Sequence, residues 1–257
     1  MHRFQINADL IRNGSILLDE RESRHALVVL RLKAPEAVGL IDGKGRAFKG
    51  VVAGIENGFL RVRIDAGSLA GAVPWPFPVQ VTLAVSVIKP ERMELLIQKA
   101  CELGADAILP VRSERSIIRL SKERWQEKIK RWRKIAVESC KQCGLPATPQ
   151  IHEAADLKTV LSSATGYDKI LIPTLSGVTR PLREALPRPA PDRLLALIGP
   201  EGDFSDKEVA LAVSYGARPV SLGPLVLRTE TAVFYLLSVL NFFYGETGAH
   251  VRGKLNE

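Results

Sequence analysis

"SLGPLVLRTETAVFYLLSVL" spans residues 221–240 and joins a tight polar turn to the most apolar helix that the sequence predicts. This helix is apolar on almost every side, which is typical of a helix that is buried on several faces. Thr229 is a suitable N-cap for it, and Arg228 and Glu230 flank that position. Two opposite charges at the start of such a helix predict either a functional site or a structural ion pair.

Two further loops share the character of this turn, and all three loops follow predicted strands at their carboxyl ends. "IPTLSG" occupies residues 172–177, and "IGPEGDF" occupies residues 198–204. Open α/β sheets bind ligands at this end of their strands, and glycine lets the backbone approach a ligand closely. One such loop could be a simple turn, whereas two Gly-Pro loops that each precede a charged residue and a helix favour a ligand site.

The three loops lack the sequences that bind phosphate groups. None of them contains G-x-G-x-x-G or G-x-x-x-x-G-K-[ST], the patterns of dinucleotide and triphosphate sites. The absence of these patterns from the three loops is also evidence against a nucleotide-hydrolysing enzyme. The sequence favours a ligand that is held by the backbone of short loops, whose N–H and C=O groups can read an adenine edge.

Hydrophobic periodicity divides the chain into two parts. Residues 1–65 contain short strands separated by hairpin turns, which predict a small β-barrel. Residues 66–78 are rich in Ala, Gly and Pro, the composition of a linker. From residue 79 strands alternate with helices, which predicts an α/β domain with a mostly parallel sheet. We therefore expect one domain at residues 1–70 and a second at 71–257.

The positive charge of the chain is concentrated in one segment. Lys and Arg outnumber Asp and Glu by 36 − 28 = 8, and residues 112–141 hold eleven basic and four acidic residues, a balance of +7. A local basic patch indicates a polyanionic partner such as nucleic acid. The alternative is a solvated helix face that contributes only to solubility.

Several sequence features bear on the cellular location and on metal binding. No run of about 18 uncharged apolar residues predicts a transmembrane helix, and the start lacks the apolar stretch of a signal peptide. Three cysteines suit a reducing cytosol better than a disulfide framework, so we expect a cytoplasmic protein. Cys140 and Cys143 form a single C-x-x-C, which is a poor zinc site, and we expect no metal.

Segments along nearly the whole chain resemble the RsmE family, which lies within the SPOUT class of S-adenosylmethionine-dependent RNA methyltransferases. The segments are "HALVVLR" (25–31), "KPERMELLIQKACELGA" (89–105), "SERS" (113–116), "RWRKIAVESCKQCG" (131–144), "IGPEG" (198–202) and "SLGPLVLRTETA" (221–232). The resemblance implies a PUA-like N-terminal barrel, a C-terminal domain with a deep trefoil knot, and a homodimer. It also implies methylation of N3 of a uridine in 16S ribosomal RNA.

The resemblance assigns residues to cofactor and RNA. Residues expected to hold S-adenosylmethionine are Thr174, Leu175, Ile198, Gly199, Pro200, Glu201, Gly202, Leu222, Gly223, Leu227, Arg228, Thr231 and Ala232. Residues expected to contact RNA, from the barrel and the basic segment, are Arg3, His25, Arg31, Arg115, Lys128, Arg131 and Lys134. For His25 the alternative is a histidine that is satisfied within the barrel.

The chemistry of N3 methylation assigns the charged residues. The imide proton must leave, and negative charge then develops on the ring carbonyls. We expect Arg228 to stabilise that charge. Glu230 is expected to take the proton or to orient Arg228, and Glu201 is a second candidate base. The structural alternative is an ion pair between Arg228 and Glu230 at the helix N-terminus.

Three positions depart from the family pattern. Asp203 stands where the family usually has glycine, and Leu225 and Leu145 stand where it usually has arginine. The two leucines remove charges near the cofactor loop and near the basic segment. The alternative function is a non-enzymatic RNA-binding assembly protein on the same fold, and binding of S-adenosylmethionine would separate the two.

Overall fold

The computed structural model describes residues 1–68, 77–116 and 120–245. The chain divides into two compact units. Unit 1 comprises Met1–Trp75 and Val137–Thr148, and unit 2 comprises Pro76–Ala136 and Pro149–Glu257. The predicted boundary between residues 70 and 71, with most of the predicted linker, lies outside the described residues. No helix in the described ranges is long and apolar enough to cross a membrane.

Unit 1 is built on a five-stranded mixed sheet. Its strands are β1 (His2–Gln5), β2 (Ser15–Leu17), β3 (Ala37–Ile41), β4 (Ala47–Glu56) and β5 (Phe59–Ile64), in the order β1-β3-β4-β5-β2. The β1–β3 pair is parallel and the others are antiparallel. Alternate residues of β5, Leu60, Val62 and Ile64, are buried, as expected for a strand with one face on a core. Helix α1 (Glu20–Arg24) continues into a π-helical turn, His25–Val29.

Residues 137–148 complete unit 1, although they lie far from the other residues of the unit in the sequence. They contain the last turns of helix α3 (Lys122–Cys143). Nζ of Lys141 contacts both carboxylate oxygens of Glu22, at 2.7 and 2.9 Å, and both side chains are buried. Leu145, one of the departures from the family pattern, is also buried. This leucine therefore contributes to packing within the unit.

Unit 2 contains an eight-stranded sheet in which every pair is parallel. Its strands follow the order β11-β13-β10-β12-β6-β7-β8, and β9 also pairs with β7. The strands are β6 (Gln80–Ser86), β7 (Ala107–Arg112), β8 (Gln150–Ile151), β9 (Ala155–Asp156), β10 (Lys169–Pro173), β11 (Arg180–Pro181), β12 (Arg193–Ile198) and β13 (Arg218–Ser221). Central strands β6 and β12 are buried along almost their whole length, which is typical of parallel sheets covered on both faces.

The helices of unit 2 are α2 (Pro90–Glu102), the first part of α3, α4 (Leu157–Ser162), α5 (Leu182–Ala185), α6 (Asp206–Ser214) and α7 (Thr229–Gly245). Thr229, predicted as the N-cap of α7, is its first helical residue, and its hydroxyl donates to the carbonyl of Gly199. Local signals do predict the starts of α2 and α6. Helix α2 starts with Pro90 at its first turn, the favoured position for proline. A capping box between Ser205 and Glu208 starts α6, as predicted.

Helix α7 is the apolar helix of the opening segment. The helix contacts α2, and the residues of its buried side include Val233, Leu236 and Leu240. The opposite side carries Tyr235 and Phe242, which are 44% and 70% exposed. Within the described ranges, the helix is therefore apolar on two sides and buried on one.

Candidate active site

The site lies at the carboxyl ends of three neighbouring strands. Because β10 lies between β12 and β13, the loops that follow these strands meet at one edge of the sheet. They form an open cleft. Its lining residues are Pro173, Thr174, Leu175, Ile198, Gly199, Pro200, Glu201, Asp203, Ser221, Leu222, Gly223, Leu225, Val226, Leu227, Thr229 and Ala232.

Asp203 joins the first loop (172–177) to the second (198–204). Its Oδ2 accepts hydrogen bonds from the hydroxyl of Thr174 and from the backbone N–H of Leu175, both at 2.7 Å. Its Oδ1 accepts from the N–H of Phe204, also at 2.7 Å. The backbone of Asp203 is left-handed, with φ of 61°, a conformation that aspartate tolerates better than most residues. The residue that departs from the family pattern therefore holds two loops of the cleft together.

The second loop also holds the start of α7. The buried hydroxyl of Thr229 donates to the carbonyl of Gly199 at 3.0 Å. A Cβ at Gly199 would lie 2.9 Å from the backbone nitrogen of Phe204 and 3.0 Å from Oδ1 of Asp203, so only glycine fits there without a shift. The cleft wall and the first turn of α7 are therefore one connected structure.

Arg92 connects the two glutamates that the sequence proposed as bases. Its Nη1 lies 2.9 Å from Oε1 of Glu201, and its Nε lies 3.9 Å from Oε1 of Glu230. Glu230 is 7% exposed, and its buried Oε2 has no hydrogen-bond partner among the described residues. Buried polar atoms normally have partners. This carboxylate is therefore held by one cation and keeps one oxygen free.

Arg92 was missed by the sequence reasoning. It stands in the first turn of α2, directly after strand β6, and within the family segment "KPERMELLIQKACELGA". Its position after the carboxyl end of a parallel strand was the available signal. The acidic and apolar residues of the same segment predicted the helix, and the arginine received no role.

Arg228 lies exposed immediately before α7. Its side chain makes no hydrogen bond or ion pair with the part of the chain that the structure describes, while its carbonyl accepts the N–H of Ala232 at 2.8 Å. The alternative ion pair with Glu230 is absent from these residues, because Glu230 lies beside Arg92 instead. The guanidinium of Arg228 is therefore available to a ligand.

Most residues predicted to hold the cofactor line the cleft. Three do not: Gly202, Arg228 and Thr231. The carbonyl of Gly202 accepts a hydrogen bond of 2.5 Å from Nη1 of Arg115, so Arg115, predicted to contact RNA, lies against the second loop. The lining residues that the sequence reasoning did not select are Pro173, Asp203, Ser221, Leu225, Val226 and Thr229.

The basic helix α3 has both paired and unpaired cations in its unit 2 part. Arg131 makes a two-pronged ion pair with Glu94, at 2.5 and 2.8 Å. Arg133 binds the carbonyl of Ile151 and the carboxylate of Glu153. Lys128 and Lys134, both predicted to contact RNA, make no ion pair within the described ranges.

The predicted RNA contacts of unit 1 have different surroundings. Arg3 donates to the carbonyl of Gln142 at 3.2 Å. His25 is half-buried and meets the edge of Phe4, with ring centroids 6.2 Å apart, a packing contact. Arg31 is exposed and left-handed, with φ of 54°. Within unit 1, Arg31 is therefore the more accessible of these cations.

Known proteins were compared with the chain as a whole. A family model described as "RNA methyltransferase PUA domain" matches residues 18–65. A second family model, described as "RNA methyltransferase domain", matches residues 75–241. A Mycobacterium bovis protein named ribosomal RNA small subunit methyltransferase E is 30% identical over 233 residues, covering 87% of this chain and 85% of that protein. The chain belongs to this family. A Synechocystis member with the same name is 26% identical over 93% of this chain and 77% of its own length.

Solved structures with the same fold include two that hold a cofactor. The family member from Neisseria gonorrhoeae, bound to S-adenosylmethionine, has a TM-score of 0.82 and 28% identity, covering 95% of this chain and 98% of its own. A Legionella pneumophila methyltransferase with bound S-adenosylmethionine has the same TM-score and 31% identity, covering 94% and 96%. The predicted family is confirmed, as is the combination of a PUA-like part with a parallel-sheet methyltransferase domain.

Proposed function

We propose that the chain uses S-adenosylmethionine to methylate N3 of a uridine in 16S ribosomal RNA. The observation that most directly supports this proposal is the cleft at the carboxyl ends of β10, β12 and β13, in a member of this methyltransferase family. Family relatives are named for the ribosomal RNA small subunit, and solved neighbours hold the cofactor.

The cleft has properties that fit this cofactor. It is a concave site at the carboxyl ends of neighbouring parallel strands, where α/β sheets commonly bind small molecules. No lysine or arginine is among the lining residues, which suits a nucleoside with a cationic group better than a triphosphate. Residues such as Leu175, Ile198 and Leu227 offer apolar surface, while the loops offer backbone donors and acceptors. When bound there, S-adenosylmethionine supplies an electrophilic methyl group.

Arg228 is proposed to act on the substrate base. As N3 loses its proton, negative charge develops on the two neighbouring ring carbonyls. A fixed cation stabilises such charge most when it is already oriented. Arg228 is exposed at the start of α7, and the first turn of that helix is fixed by the bond from Thr229 to Gly199. Its freedom from ion pairs in the described structure supports a role toward substrate.

Glu201 is proposed as the base. A general base must reach the proton that it removes, and Glu201 lines the cleft whereas Glu230 does not. Arg92 holds Glu201 at 2.9 Å. The buried Glu230, 3.9 Å from the same arginine, is proposed to position Arg92. The Glu201 carboxylate thus takes the proton of N3, as the methyl carbon forms its bond to N3 and its bond to sulfur breaks.

Transfer of a labelled methyl group tests the function directly. Purified protein is incubated with labelled S-adenosylmethionine and either naked 16S ribosomal RNA or whole small subunits, and the nucleosides are then analysed. Label in 3-methyluridine is the expected result. Binding of RNA without binding of S-adenosylmethionine would instead support the non-enzymatic assembly protein.

RNA affinity should depend on salt through the unpaired cations of α3. Each neutralised phosphate contributes a slope of roughly −0.9 in log K against log salt for duplex and about −0.7 for single strands. Replacing Lys128, Lys130 and Lys134 with alanine should flatten this slope, as measured by binding titrations across salt concentrations. Arg133→Ala is the matched control, because Arg133 is engaged by Ile151 and Glu153 and should change the slope little. Equal slopes for the wild type and the triple variant would mean that Lys128, Lys130 and Lys134 are solvated surface residues that do not contact RNA.

We further propose a homodimer that forms through the exposed side of α7, together with the trefoil knot that the family resemblance implies. Tyr235 and Phe242 are exposed on the same side of this helix, and exposed apolar patches commonly mark protein–protein interfaces. Sedimentation at micromolar concentration should show a dimer, and Tyr235→Asp with Phe242→Asp should give a folded monomer. Val213→Asp, at an exposed position of α6, should leave the dimer intact. A monomeric wild type would count against the proposal.

We propose that RNA binding and methyl transfer are assigned to different parts of the chain, which has two proposed domains at residues 1–70 and 71–257. The PUA-like part and the basic face of α3 bind RNA, and the three loops of unit 2 carry out the chemistry. Because the proposed substrate belongs to the bacterial small subunit, the proposed location is the cytoplasm.

A further inference from the structure

The wall of the cleft carries one negative charge that no cation balances. Glu201 and Asp203 are the ionisable residues among those that line the cleft. Glu201 is paired with Arg92 at 2.9 Å. Asp203 makes no ion pair with any described residue, and its three hydrogen bonds come from a hydroxyl and two backbone N–H groups. Among the residues that line the cleft, Asp203 is therefore the negative charge without an ion pair, while Arg115 bonds the carbonyl of the neighbouring Gly202.

The hydrogen-bond directions show that Asp203 acts only as an acceptor. The hydroxyl of Thr174 accepts from the N–H of Ser176 at 3.1 Å, which leaves its own hydrogen to donate to Asp203. The partners at both carboxylate oxygens are then donors, as an ionised carboxylate requires. Asp203 lines the cleft, and these bonds fix its carboxylate in place.

A glycine at this position, as the family usually has, would supply neither the charge nor the bonds between the loops. Asp203 therefore adds two separable properties to the cleft. One is mechanical, because it connects the first and second loops. The other is electrostatic, because a fixed charge in a partly desolvated cleft acts on a ligand more strongly than it would in water.

We propose that the Asp203 carboxylate makes the cleft select the cationic S-adenosylmethionine over its neutral product, S-adenosylhomocysteine. This inference rests on the proposed function. S-adenosylmethionine carries a sulfonium, and the thioether that remains after loss of the methyl group has no charge at sulfur. The Asp203 carboxylate attracts the sulfonium and has no charge interaction with the thioether sulfur. The product is therefore held less tightly than it would be in a cleft without this charge, and product inhibition is weaker.

Calorimetric binding of three ligands tests the inference without turnover. The ligands are S-adenosylmethionine, S-adenosylhomocysteine and sinefungin, which carries an amine in place of the sulfonium methyl. Asp203→Asn should weaken binding of both cationic ligands on the order of tenfold more than binding of the neutral ligand, because of a charge interaction across several ångströms. The neutral ligand reports the loss of a hydrogen bond, because the amide nitrogen of asparagine cannot accept from the donors around Asp203. Higher salt should reduce the preference of the wild type for the cationic ligands.

Two variants separate charge from mechanical connection. Thr174→Val removes one bond between the loops but keeps the Asp203 charge, so affinities for all three ligands should change by the same factor. Asp206→Asn removes an equal charge three residues away, outside the cleft lining, and should preserve both affinity and preference. Circular dichroism melts confirm that each variant is folded.

The outcomes distinguish failure of this inference from failure of the proposed function. If Asp203→Asn weakens all three ligands equally, Asp203 only connects the loops and the selectivity proposal is wrong. If Asp206→Asn lowers the preference as much as Asp203→Asn, the effect belongs to overall charge and the proposal is also wrong. If the wild type binds none of the three ligands, the proposed function itself is wrong.

Discussion

Arg228→Ala should lower single-turnover methyl transfer by about 10²–10³, the usual effect of removing one preoriented donor from an oxyanion site. The affinity for S-adenosylmethionine should hardly change, because Arg228 does not line the cleft. Thermal stability should also hold, because the side chain makes no hydrogen bond or ion pair with the described residues. The measurement is a single-turnover assay with saturating RNA and cofactor, with thermal melts of the same samples.

Lysine at this position should restore only part of the rate. Its ammonium supplies charge but lacks the planar fork that can bind two oxygens. Arg183→Ala is a suitable control, since Arg183 is also highly exposed, with its Nε 3.9 Å from the exposed Glu184. A near-normal rate for Arg228→Ala would remove this residue from the chemistry.

The position of the cleft could be predicted because it follows from topology. Gly-Pro loops after buried strands are visible in the sequence, and parallel strands bring their carboxyl ends to one edge. Residues 172–177, 198–204 and the turn before α7 accordingly meet in one cleft. The start of α6 was predictable for a similar reason, since the capping box of Ser205 and Glu208 depends on residues three apart.

The partners of the charged residues could not be predicted, because they depend on contacts between distant segments. Arg228 and Glu230 are two positions apart, which suggested a pair. Residues two apart at a helix start do not face each other, and Glu230 lies beside Arg92, 138 positions away. The same limit applies to Arg131, predicted to contact RNA, whose bond to Glu94 spans 37 positions.

Asp203 illustrates how a departure from a family pattern gains meaning only from geometry. In the sequence it removes a glycine from a loop where backbone freedom matters. In the structure it keeps the left-handed conformation, with φ of 61°, and adds bonds to Thr174 and Leu175. The small conformational cost of such a residue is offset by hydrogen bonds to a charged group, which are stronger than neutral ones.

The two glutamates beside Arg92 should respond differently to substitution. Glu201→Gln should lower the single-turnover rate by about 10²–10⁴, the usual contribution of a general base. Glu230→Gln should lower the single-turnover rate by a smaller factor, because Glu230 acts on the reaction only through Arg92. It should also change the stability of the protein, because the residue is buried and its Oε2 has no partner in the described structure. Single-turnover rates and thermal melts of both variants provide the comparison.

Chemical rescue separates a base from a positioning group. In Glu201→Ala, added formate can enter the open cleft and take the proton, so the rate should rise with formate concentration. In Glu230→Ala the space is buried behind Arg92, and formate should have no such effect on the rate. The opposite pattern, with rescue of Glu230→Ala alone, would assign the base to Glu230. It would also mean that its unpartnered Oε2, rather than Glu201, meets N3 of the uridine when RNA is bound.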